Sequence, residues 1–501
     1  MKSNTLDFDA QALRDKILDL AMRGKLVPQD PNDEPASVLL EKIKAEKAEL
    51  VKEKKIKKSK PLPEITDDEK PFDIPDSWEW VRLGEVGNYI QRGRSPKYDK
   101  KNKSHPIISQ KCVQWENIYL KDAKYITKTF FDKLEDYRFV QENDVLWNST
   151  GTGTVGRLNI VKQNLDHIPV DSHVTLIRMN KQVNPDYIYY YLRSPEIQDN
   201  LNDYLTGTTK QKELGLTNIL KVKIPLPPLS EQSRIAAKIA QLFALLRKVE
   251  TSTQQYAKLQ TLLKSKVLDL AMRGKLVKQD PNDEPASVLL EKIKAEKAEI
   301  VKEKKIKKSK PLPPITDEEK PFDIPDSWEW VRLGNIVSYQ NGYAYKSSEL
   351  VKIRKGLPVI KSQNIMTLKV IIKDNNDYVK EPNEKMLNSK IIKGDLLMCL
   401  SSQSKNPEPL GKTAIYDLDK PALLNQRVLK LKLINHSMTD LIYYFINSSW
   451  FHFTVSHRGS GSGQSNLKLG DVMNMPIPVP PLNEEKHIVN RIEILFKKLS
   501  N

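Results

Sequence analysis

Gly151-Thr152-Gly153-Thr154-Val155-Gly156 comes nearest to a phosphate-cradling loop, because it matches GxGxxG and follows the strand-like run Val145 to Asn148. A dinucleotide loop needs a helix N-terminus behind it, whose free N–H groups and dipole hold the pyrophosphate. Here Arg157-Leu158-Asn159-Ile160-Val161 follows and reads as a second strand, so a hairpin turn is predicted. Asn184-Pro185-Asp186-Tyr187 predicts a helix start, with Asn as cap and Pro in the first turn. There is no GxxxxGK[ST] loop and no nuclease-type carboxylate cluster with a following Lys, and the seven His lack metal-ligand spacing. The two cysteines, Cys112 and Cys399, stand far apart, which excludes a disulfide framework or a cysteine-built zinc site and predicts two buried small side chains. No catalytic, cofactor-binding or metal-ligating residue is therefore expected in this chain.

Side chains suited to reading a base edge are present instead. Lys and Arg number 81 against 64 Asp and Glu, a net charge of +17, which makes a polyanion a plausible partner. Arg matches guanine in bidentate geometry, Asn and Gln match adenine, and such residues work best from loops. The candidates are Arg92, Arg94, Lys97, Tyr98, Gln110, Lys111, Lys210 and Gln211 in the first half of the chain. In the second half they are Tyr343, Tyr345, Lys346, Lys361, Gln363, Asn364, Arg458, Gln464 and Asn466. The most basic stretches, 41–60 and 291–310, each hold nine Lys and four Glu and read as solvated helices laced with Glu–Lys pairs. Being the same in both halves, they cannot tell one DNA sequence from another.

The elements that hold these loops follow from an internal repeat. With 501 residues and domains of roughly 150, about three domains are expected, and 39% hydrophobic residues suffice for packed cores. Lys16 to Gly84 recurs as Lys266 to Gly334, and only Ile17/Val267, Pro28/Lys278, Leu50/Ile300, Glu64/Pro314 and Asp68/Glu318 differ. IPLPPLSEQ (224–232) recurs as IPVPPLNEE (477–485), which predicts N-caps at Ser230 and Asn483. A heptad then runs Ile235, Leu242, Val249, Tyr256, Leu263, Leu270, with a companion seam Ile239, Leu246, Thr253, Gln260, Val267. The repeat offset places Leu6, Leu13, Ile17 and Leu20, and also Ile488, Ile492, Leu495 and Leu499, on the same seam. The termini thus read as two halves of one coiled-coil helix, and the chain as a circular, pseudo-two-fold repeat with antiparallel long helices.

Five segments are expected: 1–77 with a half-helix and a lysine-rich helix, a variable domain over 78–228, and a long helix with a second lysine-rich helix over 229–327. A second variable domain covers 328–481, and a terminal half-helix 482–501. The variable domains read as mixed α/β, with strands at Tyr125–Phe131, Val145–Asn148, His173–Met179, Leu357–Ile360, Leu396–Leu400 and Arg427–Leu433. Short helices are expected at Tyr187–Arg193 and Leu441–Asn447. No apolar run approaches the 18 residues of a membrane span and the start lacks a signal-peptide pattern, so a cytoplasmic address is expected.

The stretch LAMRGKLVPQDPNDEPASVLL, the lead-in PFDIPDSWEWVRLGE and the exit IPLPPLSEQ resemble the conserved regions of type I restriction-modification specificity subunits. The resemblance covers essentially the whole chain, in the family's order, twice. It implies an α/β fold with two target recognition domains separated by long antiparallel coiled-coil helices, each domain reading one half of a split double-stranded DNA site. It implies two methylation subunits as partners, restriction subunits when present, and no membrane. S-adenosylmethionine would then belong to the methylation subunit, ATP and Mg to the restriction subunit, and no cofactor to this chain. Arg94-Ser95-Pro96 and Gly342-Tyr343-Ala344 stand where many members carry Gly-Thr-Pro, so individual base contacts are not carried over. A helix from Ser230 to Gly274 would rise roughly 68 Å, enough to act as a ruler between domains about one DNA turn apart. The competing reading, a coiled-coil adaptor whose variable domains bind proteins, predicts no sequence-selective retention on DNA.

Overall fold

The computed structural model describes residues 8–58, 60–163, 165, 167–207, 212–366, 368–401, 410–458 and 466–500. Two compact units divide between Thr253 and Gln254. The N-terminal unit starts with a helix, Ala10–Met22, capped by the Asp9 carboxylate, which accepts from the Ala12 N–H at 2.9 Å. That helix ends at Gly24 with φ +67°, where a Cβ would lie 2.4 Å from Pro75 Cγ, so only glycine fits. The lysine-rich helix Ala36–Lys52 buries only Ala36, Leu39 and Ile43, one narrow stripe at helical spacing. Lys47 is the exception among its lysines. Its ammonium donates to the carbonyls of Gly84, Glu85 and Gly87 at 2.9, 3.0 and 2.8 Å, pinning the helix to the variable domain. Lys297 repeats this on Gly334, Asn335 and Val337 in the C-terminal unit.

Each variable domain is closed at its base by the strand that leads in and the strand that leaves. Glu79–Arg82 pairs antiparallel with Lys223–Leu226, and Glu329–Arg332 with Pro476–Val479. Above the base, each unit carries a four-stranded antiparallel sheet of the same order. In the N-terminal unit it runs Gly87–Arg92, Val174–Met179, Val145–Asn148, Leu158–Ile160. In the C-terminal unit it runs Val337–Asn341, Val428–Leu433, Leu396–Cys399, Thr413–Ile415. Divergence is concentrated beside this sheet. The N-terminal unit has a short pair there, Pro106–Ile107 with Lys124–Tyr125, whereas the C-terminal unit has a second four-stranded sheet containing one parallel pairing. Trp78, Trp147, Tyr187, Ile235 and Ile239 share one core in the N-terminal unit, so the helical part and the variable domain fold around a common interior.

Five of the six expected strands lie within one residue of the observed bounds, and the helices Pro185–Leu192 and Thr439–Ile446 stand where expected. Tyr125–Phe131 is corrected. Only Lys124–Tyr125 is a strand, and Lys128–Phe131 forms a helical turn because the Thr127 carbonyl accepts from the Phe130 and Phe131 N–H groups at 3.0 Å each. Local hydrogen bonding outweighs the strand preference of the aromatics. The N-caps at Ser230 and Asn483 are also corrected. The helices begin at Leu229 and Leu482, and the Pro228 and Pro481 carbonyls already accept from Gln232 and Glu485. Proline's fixed φ lets a helix start directly after it, which leaves Ser230 free to donate to Asp33 and Asn483 to Asp283.

The long helix Leu229–Met272 has 44 residues. In the N-terminal unit it runs antiparallel to the first helix, with Arg14 on Glu250 at one end and Gln29 on Glu231 at the other. In the C-terminal unit it runs antiparallel to Leu482–Ser500, with Gln260 on the Leu499 carbonyl and Gln279 on Glu484. Ile235, Ile239, Ile488 and Ile492 are buried, while Ile17, Leu20, Leu242, Leu246, Val267, Leu270, Leu495 and Leu499 are half-buried. The continuous seam is corrected at its centre: Leu13, Val249, Tyr256 and Leu263 are exposed. Among the described residues the first helix starts at Ala10 and the last stops at Ser500, and Tyr256 lies beyond the contacts made by either. Leu6 lies outside the described residues.

An ion pair braces each sheet. Asp144, 1% exposed, accepts from Arg178 at 2.7 and 2.8 Å, and Asp395, at the matching position, pairs at 2.7 Å with Lys430, which lies two residues along the neighbouring strand from the match of Arg178. Arg178→Met leaves that carboxylate without its cation and is expected to cost the N-terminal unit about 3 kcal/mol. A lower urea midpoint for that unit, with the C-terminal unit unchanged, is the measurement that checks it.

Candidate nucleic-acid interface

In the N-terminal unit the candidate residues fall into two groups. Arg92 ends the first strand of the sheet, its guanidinium on the Glu213 carboxylate and, at 2.6 Å, on the Leu214 carbonyl. Thr150 forms a bridge with Glu213, and its hydroxyl donates to Gln110 Oε1 at 3.4 Å. Arg92 and Gln110 are therefore brought to one corner of the domain, with Lys111 exposed beside Gln110. The hairpin Gly151–Gly156 forms the rest of this corner. It joins two antiparallel strands, as expected, and three of its glycines have positive φ. Arg157 steadies that turn, donating to Gln114 Oε1 at 2.8 Å and to the Gly153 carbonyl at 2.6 Å.

The second group lies along the loop after Arg92. Arg94 is ion-paired to Glu135 at 2.9 Å, Lys97 is exposed, and the Lys124 ammonium sits 4.5 Å over the Tyr98 ring. Lys210 and Gln211 lie outside the described residues.

In the C-terminal unit some candidates are engaged inside the domain and others are exposed. Tyr343 and Tyr345 stack edge to face at 4.9 Å against an apolar cluster, and the Tyr345 hydroxyl meets Ser389 Oγ at 3.0 Å. Lys346 and Gln363 are exposed, and Asn466 is exposed and bridges Ser401 through its backbone. Lys361 is bound to Asp377. Burial works against ionisation of Asp377, but hydrogen bonds from Lys352 and Lys361 hold its carboxyl below the usual range. Asn364 is corrected as a base reader. It is 0% exposed, its amide nitrogen donates to the Ile371 carbonyl and Asn376, and its oxygen accepts from the Lys361 N–H. With both ends of the amide engaged inside the domain, it braces the loop that carries Gln363. Arg458 ends the helix Ser449–Arg458, but its side chain lies outside the described residues, as does Gln464.

Sequence reasoning missed Glu213, Thr150, Gln114 and Arg157, which hold the first corner together. The available signal was the offset between IPLPPLSEQ and IPVPPLNEE, which aligns Glu213 with Asn466, whereas Arg92 is matched with Asn341 only by the sheet register. Chemically, these corners offer donors, acceptors and cations on a rigid sheet end, the furniture of groove recognition. Cys112 and Cys399 are buried, as expected. Among the described residues there is no group of His, Cys, Asp and Glu able to hold a metal, and no helix is long and apolar enough to cross a membrane.

Comparison with known proteins adds the lineage. The family model described as "Type I restriction modification DNA specificity domain" matches twice, over residues 75–260 and 325–501. The type I restriction enzyme EcoAI specificity subunit of Escherichia coli is 34% identical, covering 98% of this chain and 89% of that protein. The EcoEI specificity subunit of Escherichia coli is 30% identical over the same shares. A solved chain from "Structural basis underlying complex assembly and conformational transition of the type I R-M system" shares the fold. It has a TM-score of 0.54 at 20% identity and covers 86% of this chain and 93% of its own. With two recognition domains on long helices and a family match to each, the chain belongs to the specificity subunits of type I restriction-modification systems, their non-catalytic DNA-recognition component.

Proposed function

We propose that this chain selects a bipartite, asymmetric DNA site, one half through the domain at 78–228 and the other through the domain at 328–481. The observation that carries this reading is the pair of units with one sheet order and unlike polar corners. Equal scaffolds present equal geometry to two half-sites, while different side chains read different bases. Arg92, Gln110 and Lys111 are the first domain's best-grouped readers, and Lys346, Gln363 and Asn466 are the exposed candidates of the second. Lys97, Tyr98 and Arg94 line up as backbone contacts beside them. The segments 1–77, 229–327 and 482–501 form the spine that spaces the domains.

Two methylation subunits dock on this spine, one per repeat copy, since two equivalent docking surfaces require two equivalent sequences. The exposed Leu245, Val249, Tyr256, Leu259 and Leu262 of the long helix support such docking. In the assembled complex, S-adenosylmethionine binds the methylation subunit, ATP and Mg bind the restriction subunit when one is present, and the chain works in the cytoplasm. The test is selection from a random duplex library by the complex with methylation subunits. Two unlike sequence blocks separated by a fixed gap are expected. A single block, a palindrome or no enrichment would overturn the proposal.

A further inference from the structure

The two domains can be superimposed residue by residue at one place outside the shared repeat. In the N-terminal unit, Arg92 closes the first strand of the sheet, and Glu213 bridges Thr150 while the Leu214 N–H bonds to the Ser149 carbonyl at 2.8 Å. In the C-terminal unit, Asn341 closes the corresponding strand, and Asn466 bridges Ser401 while the Leu467 N–H bonds to the Leu400 carbonyl at 2.8 Å. Backbone scaffold and hydrogen-bond pattern are the same. What differs is the chemistry carried on it: arginine with glutamate in one domain, asparagine with asparagine in the other.

Arg92 and Glu213 act as a unit. The glutamate is half-exposed and fixes the guanidinium. Of the five guanidinium donors, one goes to Glu213 and one to the Leu214 carbonyl, while Nε is buried without a partner. One N–H on each terminal nitrogen remains, the set that guanine O6 and N7 accept, and the free lone pairs of Glu213 suit the N4 amino group of the paired cytosine. A side-chain amide, as at the exposed Asn341, suits adenine N6 and N7 instead. Gly153, at the rim of the first corner, has open space where a Cβ would stand, so nothing of the turn obstructs a groove edge there.

We propose that this corner is the specificity-determining position of each domain, reading a G·C pair in the half-site of the N-terminal domain and an A·T pair in that of the C-terminal domain. The inference rests on the DNA-recognition reading above and adds residues and bases to it. The test is the methylome of a methylation-free host that carries the partner methylation subunit with either the wild-type chain or a variant. Arg92→Asn with Glu213→Asn is expected to reduce methylation of the original motif roughly tenfold to a hundredfold, through one G·C position of one half. The other half and the gap stay as they were. Asn341→Arg with Asn466→Glu is the reciprocal change on exposed positions, and shifts one A·T position of the second half toward G·C. A wild-type motif whose first half has no G·C pair, or a motif unaltered by both variants, overturns the inference while leaving the DNA-recognition reading intact. If the wild-type chain yields no split motif at all, the underlying reading fails with it.

Discussion

Replacing Glu485 with Gln is expected to stabilise the C-terminal unit by about 3 kcal/mol at pH 8 and to leave it almost unchanged at pH 4. Glu485 is 2% exposed and its Oε2 has no hydrogen-bond partner. Burial first, and then the nearby Asp440, push its carboxyl up to about 7, with Lys486 opposing weakly. At the matching position the N-terminal unit has Gln232, whose oxygen accepts from the Asn184 N–H and whose nitrogen donates to the Pro227 carbonyl, each at 2.8 Å. Between about 4.5 and 7 the folded chain keeps the proton that the unfolded chain has released. Stability from this site is therefore complete below that window, falls as pH rises through it, and stays low above it. Glutamine cannot ionise and carries the donor that the ionised carboxylate lacks. Calorimetry should show the unfolding temperature of the C-terminal unit falling from pH 5 to pH 8 in the wild type and flat in the variant. Parallel curves would contradict the assignment.

Arg82→Met is expected to cost the N-terminal unit about 4 kcal/mol, and Arg332→Met as much in the C-terminal unit. Arg82 is 5% exposed and ties three parts of the chain together. Its guanidinium bonds the carbonyls of Pro63 and Glu64 in the linker at 3.2 Å each, the Lys221 carbonyl ahead of the exit strand at 3.1 Å, and both Glu69 oxygens at 3.1 and 2.8 Å. Methionine keeps the packing of the stem and leaves those acceptors unpaired. Because the linker from the lysine-rich helix crosses the base of the domain there, its protection from hydrogen exchange should fall as well. Unchanged exchange over 61–70 together with an unchanged urea midpoint would contradict this role.

The repeat made much of this architecture legible in the sequence. Helix caps and glycines with one permitted conformation, such as Asn184 and Gly24, are local signals, and the helices near them lie where expected. Strands buried on both faces, such as Val145–Asn148, are short apolar runs and equally plain. Long-range partnership was not legible. The heptad from Ile235 to Leu270 specifies an apolar stripe but not how far the partner helices reach, and the exposed Tyr256 lies past the Arg14–Glu250 contact on one side and the Gln260–Leu499 contact on the other. Polarity likewise does not reveal exposure: Asn364 and Gln363 are neighbours, yet one braces a loop interior and the other faces solvent. The pairing of Glu213 with Arg92 was not legible for a related reason, since only the sheet brings the two together across 121 positions.

On the proposed function, this chain alone sets which DNA sequence is methylated. The most direct measurement is a base-modification methylome of a methylation-free host expressing the partner methylation subunit, with and without this chain. A new motif of two unlike blocks around a fixed gap, with an adenine modified in each block, is expected only when this chain is present. Unchanged methylation, with both proteins present and associated in the same cells, would contradict it.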